Sequence, residues 1–85
     1  MASPNFKTVD VLFFGATADA AGRRSEKLLL DVSADVGSAV QAVITRFPGI
    51  ANHRPLTALN EDYADASTIL KDGDELAIFT AVSGG

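Results

Sequence analysis

Polar and apolar residues alternate in "FKTVDVLFF", residues 6–14, where Val9, Val11 and Phe13 share one side and Leu12 and Phe14 the other. A period of two, rich in β-branched and aromatic residues, predicts a strand whose two faces both become apolar at its end. The stretch "GATADAAGRR", 15–24, lies between Gly15 and Gly22 and has no bulky apolar residue, which predicts a connection with one Ala-rich turn of helix. "SEKLLLDV", 25–32, then predicts the return arm of a hairpin that ends before Ser33.

The period changes after Ser33. Val36, Ala39, Val40, Val43, Ile44 and Phe47 fall at i, i+3, i+4, i+7, i+8 and i+11, the stripe of a helix buried on one side. Asp35 stands where an N-cap belongs, with a carboxylate that can accept from orphan backbone N–H groups, and Pro48 with Gly49 stops the helix. Gly37 and Thr45 lower its intrinsic propensity, so packing on a sheet must hold it.

Past a polar loop carrying His53 and Arg54, "LTALN", 56–60, predicts a short strand and "NEDY" a turn, because Asn and Asp support tight turns through their own side chains. A short edge segment follows around Tyr63 and Ala64. "STIL", 67–70, predicts one helical turn. "KDGDE" predicts a tight turn at Asp72 and Gly73 before a last strand, "LAIFTAV", 76–82, with Leu76 and Ile78 inward. Two hairpin arms, one helix, a short strand and a long apolar final strand predict an α+β domain, a mixed sheet with one main helix across one face. That is the β-grasp, or ubiquitin-like, arrangement. Residues 1–5 read as a loose leader, 6–81 as the domain and 82–85 as a flexible C-terminal tail.

Composition narrows the class. At 85 residues, 47% hydrophobic and 21% charged, the chain has room for one small core and is not disordered in character. There are no cysteines, which removes thiol nucleophiles and thiolate metal sites and favours a reducing compartment. The start lacks the basic and apolar runs of a secretory signal, and no stretch approaches the ~20 apolar residues of a membrane span, so a soluble cytoplasmic protein is expected. Seven Lys and Arg against eleven Asp and Glu give a net charge of −4, which disfavours nucleic acid and suits a basic partner.

Little in the chain resembles an active site. His53 is the single histidine, without carboxylates at ligand spacing, and reads as a surface loop residue. Gly15 to Gly22 lacks the GK[ST] ending of a phosphate loop, so its glycines read as turn residues. Asp72, Asp74 and Glu75 flank a turn and fall short of the roughly twelve-residue loop of alternating oxygen ligands that calcium needs. No nucleophile is paired with a base, so no catalysis by the chain alone and no bound metal or cofactor are expected.

The tail is the remaining feature. Glycine loses more backbone freedom on ordering than any other residue, so Gly84 and Gly85 are a poor way to finish a packed domain. An extended peptide ending in them is slim enough to thread a narrow channel and deliver its carboxylate to a buried site. At ordinary glycine usage such an end arises by chance in roughly one chain in 200, which makes chance the lesser explanation on a ubiquitin-like domain.

"LKDGDELAIFTAVSGG", 70–85, resembles the C-terminal signature of the MoaD/ThiS family of sulfur carriers, and "VLFFGATADAAGRRSEKL" resembles its opening hairpin. "RFPGI" and "ALNEDYAD" are similar to the helix exit and next strand of the family's molybdopterin branch, so the likeness spans nearly everything from Val9 onward. The resemblance implies that an E1-like activating enzyme uses ATP and Mg²⁺ to adenylate the Gly85 carboxylate, which then becomes a thiocarboxylate. It implies that the large catalytic subunit of molybdopterin synthase accepts the tail, in a heterotetramer, and passes the sulfur to a pterin precursor. Val82, Ser83 and Gly84 would lie in the partner's channel, and Phe14, Tyr63 and Phe79 would match the family's apolar docking surface. Strand parity independently puts Phe14 and Phe79 on the face away from the helix. Many members carry two prolines where this chain has Thr80 and Ala81, so its tail base is expected to be less stiff. A thiazole-pathway carrier, a ubiquitin-like protein modifier and a plain binding module are the competing readings. The long 15–24 connection and the "VSGG" end favour the molybdopterin branch over the thiazole one.

Overall fold

A computed structural model describes residues 5–80. The element order is β1 (Phe6–Phe13), α1 (Ala16–Ala21), β2 (Ser25–Asp31), α2 (Val36–Arg46), a 3₁₀ segment (Pro48–His53), β3 (Pro55–Leu59), β4 (Asp62–Tyr63) and β5 (Glu75–Thr80). Residues 1–4 of the expected leader and 81–85 at the end lie outside the described residues. The leader's Asn5 is described, and its carbonyl accepts from the Val32 amide at 2.8 Å.

The strands form one mixed five-stranded sheet in the order β2-β1-β5-β3-β4. β1 pairs antiparallel with β2 (Val9 opposite Leu28) and parallel with β5 (Val11 opposite Leu76). β3 pairs antiparallel with β5 and with the two-residue β4. This is the expected β-grasp. The alternation along β1 and β5 turns Val9, Val11, Phe13, Leu76 and Ile78 inward, where they meet Val36, Ala39 and Val43 of α2. Truncating the fully buried Leu76 or Ile78 to Ala costs about 2–5 kcal/mol in cavity and transfer terms.

Asp35 caps α2 as expected, its Oδ1 accepting from the Ser38 amide at 2.8 Å. Gly37 has a packing reason. A Cβ there would stand 3.3 Å from both the Cβ and the carbonyl oxygen of Ala66, and the Gly37 amide donates to that same carbonyl at 2.8 Å.

Two expectations fail. Residues 67–70 form no helical turn: Ile69 makes a β-bridge with Asp35, and Leu70 is buried with its amide donating to Ala34 at 3.1 Å. A strand-like path lets this segment clasp the start of α2, which a helical turn would pull away from it. The loop after α2 is also more ordered than its polarity suggests, because Ile50 anchors the 3₁₀ segment in the core. The notable polar residue inside is Lys7, on the same side of β1 as Val9. Its Nζ donates to the carbonyls of Val32, Ala34 and Leu70 at 2.9, 2.8 and 2.6 Å.

Candidate functional site

Helix α2 covers one face of the sheet and leaves the other open. On that open face the register lines up Leu12 of β1, Ala77 of β5, Ala58 of β3 and Tyr63 of β4 as successive cross-strand neighbours. Directly opposed residues share a face, so these four make one apolar row across the sheet. Phe79 opposite Leu56 forms the next row toward the C-terminal end of β5. Tyr63 is 81% exposed, Phe14 51% and Leu56 40%, a contiguous set of large apolar side chains with no partner layer among the described residues. The rings of Tyr63 and Phe79 are 6.3 Å apart between centroids, tilted by 53°.

Phe14 holds its place through a junction at the end of β1. Its amide reaches the Ile78 carbonyl at 3.0 Å and the Thr17 hydroxyl at 3.1 Å. The same hydroxyl, wholly buried, lies 2.7 Å from the carbonyl oxygens of Phe14 and Ile78. Gly15 follows at φ 59°, a backbone state that turns the chain into α1 without a Cβ penalty. Thr17 therefore ties the end of β1 to β5 two residues before the last described residue, Thr80. Sequence reasoning passed over Thr17, and its only signal was a hydroxyl in an otherwise alanine-rich turn.

Phe14, Tyr63 and Phe79 thus sit on one face, with Tyr63 and Phe79 in ring contact. Val82, Ser83, Gly84 and Gly85 lie outside the described residues. Leu56 belongs to the same face and was missed, although its parity with Ala58 in "PLTAL" places it there. Two residues along the strands from the Leu12 row, away from the C-terminal end of β5, the apolar rows give way to a polar one: Asp10 lies between Lys27 and Glu75 in the register, and Lys27 Nζ donates to Asp10 Oδ1 at 2.8 Å.

Around the end of β1 the packing is aromatic and charged. Phe13 meets Phe47 edge to face at 5.7 Å, and the guanidiniums of Arg23 and Arg46 lie 5.3 and 5.8 Å from the centre of the Phe47 ring. Both arginines also pair with Glu26, at 2.8 and 2.6 Å.

The acidic turn at 72–75 is occupied with its own backbone. Asp72 Oδ1 accepts from the Thr8 amide at 2.7 Å, while Asp74 accepts from the Lys71 amide at 2.7 Å and from Asn60 Nδ2 at 3.0 Å. At Asp74 partial burial pushes the carboxyl up, but the Asn60 and Lys71 hydrogen bonds and the Lys71 and Lys7 charges outweigh it and hold it below the usual carboxylate range. Among the described residues no group of three His, Cys, Asp or Glu side chains could hold a metal ion. Nor is any of their helices long and apolar enough to cross a membrane.

The ThiS family model matches residues 11–85. A molybdopterin synthase sulfur carrier subunit of Mycobacterium tuberculosis is 36% identical over 80 residues, covering 91% of this chain and 96% of that protein. Among solved structures, SAMP1 of Haloferax volcanii superposes with a TM-score of 0.82 at 28% identity, over 92% of this chain and 99% of the other. One chain of a complex of subunits 1 and 2 of molybdopterin-converting factor from Helicobacter pylori superposes at 0.64 with 26% identity, over 92% and 99%.

Proposed function

The chain belongs to the ThiS family, and from that membership we propose that it is a sulfur carrier, the small subunit of a molybdopterin synthase. The observation that carries this reading is the open apolar face, whose rows run to Phe79 near the end of β5, shortly before the Gly-Gly end that closes the family match. Exposed aromatic clusters of this kind mark partner surfaces. A relative called a molybdopterin synthase sulfur carrier subunit, and a structural neighbour taken from a complex of subunits 1 and 2, support a large-subunit partner.

In this reading the chain is not an enzyme by itself. An E1-like partner binds ATP and Mg²⁺, and a Gly85 carboxylate oxygen attacks the α-phosphorus as pyrophosphate leaves. A sulfur nucleophile then adds to the acyl carbon and AMP departs, leaving a thiocarboxylate. The carboxylate needs this activation because its own oxygen is a poor leaving group. The large subunit next accepts the tail through Val82, Ser83 and Gly84, docks on Phe14, Tyr63 and Phe79, and transfers the sulfur to a pterin precursor. The work of this chain is to present a slim, reactive end from a rigid sheet and to bind two partners in turn.

Complementation tests the reading. In a bacterium lacking its own carrier subunit, the full chain restores molybdoenzyme activity and the chain without Gly85 does not. Equal restoration by both chains contradicts the proposal. A second reading, a protein modifier, is favoured by the likeness to SAMP1, whose name is that of a small archaeal modifier protein. It predicts a ladder of high-mass conjugates that disappears on deleting Gly85.

A further inference from the structure

The net charge of −4 is not spread evenly. All four arginines, at 23, 24, 46 and 54, are exposed and belong to the end of the sheet from which the tail departs. The Phe13 amide donates to the Arg24 carbonyl at 2.8 Å, Arg23 and Arg46 share Glu26, and Arg54 directly precedes Pro55, the partner of Thr80. Only Asp19 and Glu26 oppose them there, which leaves this end at +2. Asp10 is matched by Lys27 in mid-sheet, and the other acids gather toward the opposite end, among them Asp31, Asp35, Asp65, Asp72 and Asp74. Thr8, which Asp72 holds, and Phe13, beside Arg24, are five strand residues apart, roughly 17 Å. That is about twice the screening length of about 8 Å at physiological salt, so a partner approaching the tail senses the arginine end and not the net charge.

We propose that this arginine collar docks against a carboxylate-bearing rim on the large subunit, around the mouth of the channel that receives the tail. The inference rests on the carrier reading above and deepens it by naming the partner surface. The collar is continuous with the apolar rows: Arg54 leads through Pro55 into Leu56, and Arg24 lies beside the strand end that presents Phe14. An apolar centre bordered by charge is the ordinary anatomy of a protein interface, and rim charges act chiefly on the association rate. Arg23 and Arg46 are already committed to Glu26 and Phe47, whereas Arg24 and Arg54 have no ion-pair partner among the described residues.

The test is stopped-flow association of the full chain with the large molybdopterin synthase subunit of the same host, from about 50 to about 500 mM salt. The wild-type association rate falls at least tenfold across the series. Arg24→Gln with Arg54→Gln lowers the low-salt rate about tenfold and flattens its salt dependence, with dissociation little changed. Arg24→Lys with Arg54→Lys keeps the wild-type rate, and Asp65→Asn with Asp72→Asn at the far end changes it less than about twofold. An unchanged or faster association of the glutamine variant, or a wild-type rate that rises with salt, overturns the acidic rim. A wild-type chain that does not bind the large subunit at all overturns the functional reading itself, and this partner with it.

Discussion

The Tyr63 ring lies 6.3 Å from that of Phe79, and this contact joins an edge strand of two residues to the central strand that leads into the tail. The pair does little for the core, because Tyr63 is largely exposed and Phe79 faces away from α2. It is placed to do its work in a complex. Phe79→Ala and Tyr63→Ala should each weaken binding of the large subunit by about 2 kcal/mol, near thirtyfold, as loss of a central aromatic anchor does. The urea midpoint of Tyr63→Ala should stay within about 0.5 kcal/mol of wild type. Titration calorimetry and urea denaturation measure the two, and unchanged affinity in both variants contradicts docking on this face.

Lys7 ties three segments together from the inside. From β1 its ammonium joins the Val32 and Ala34 carbonyls of the link between β2 and α2 to the carbonyl of Leu70, more than thirty residues later in the chain. Lys7→Met keeps the apolar stem and strands the carbonyl oxygens, so it should lower stability by about 2–4 kcal/mol without changing the denaturant slope. A variant as stable as wild type shows that water replaces the ammonium at no cost.

What the sequence made legible was mostly local. The stripe from Val36 to Phe47, the Asp35 cap and the inward Leu76 and Ile78 could be read because a period and a capping residue are encoded within a few positions. Parity also put Phe14 and Phe79 on the open face, and it held the signal for Lys7 and Leu56, each of which shares its side with residues already assigned. The path of 67–70 was illegible because Ile69 answers to Asp35, more than thirty residues earlier. The order of the 3₁₀ segment was hidden because a single buried Ile50, in the short run Pro48–His53, sets up no apolar period. The arginine collar was least visible of all. Its members come from three separate stretches, and only the return of β2, the end of α2 and the start of β3 to one end of the sheet unites them.

Acid should weaken the fold through carboxylates that are better bonded in the native state than in the unfolded chain. The Ser38 amide and hydroxyl hold Asp35 below the usual carboxylate range, and the Ser33 hydroxyl and amide do the same for Asp31. A lowered native value means that the stabilisation is fully present above the unfolded value, about 3.9, and is lost as pH falls through the native one. Urea midpoints should therefore be insensitive to these groups between about pH 7 and 5 and decline below about pH 4. Asp35→Asn, which still caps the helix but does not titrate, should decline less steeply below about pH 4. Parallel curves for the two proteins contradict the assignment.

The most direct test of the carrier itself is the intact mass of the chain after incubation with ATP, a sulfur donor and the activating enzyme of its own host. A gain equal to exchanging one oxygen for one sulfur, present in the full chain and absent when Gly85 is deleted, is the predicted result. No gain, with an activating enzyme competent on another carrier, contradicts the account.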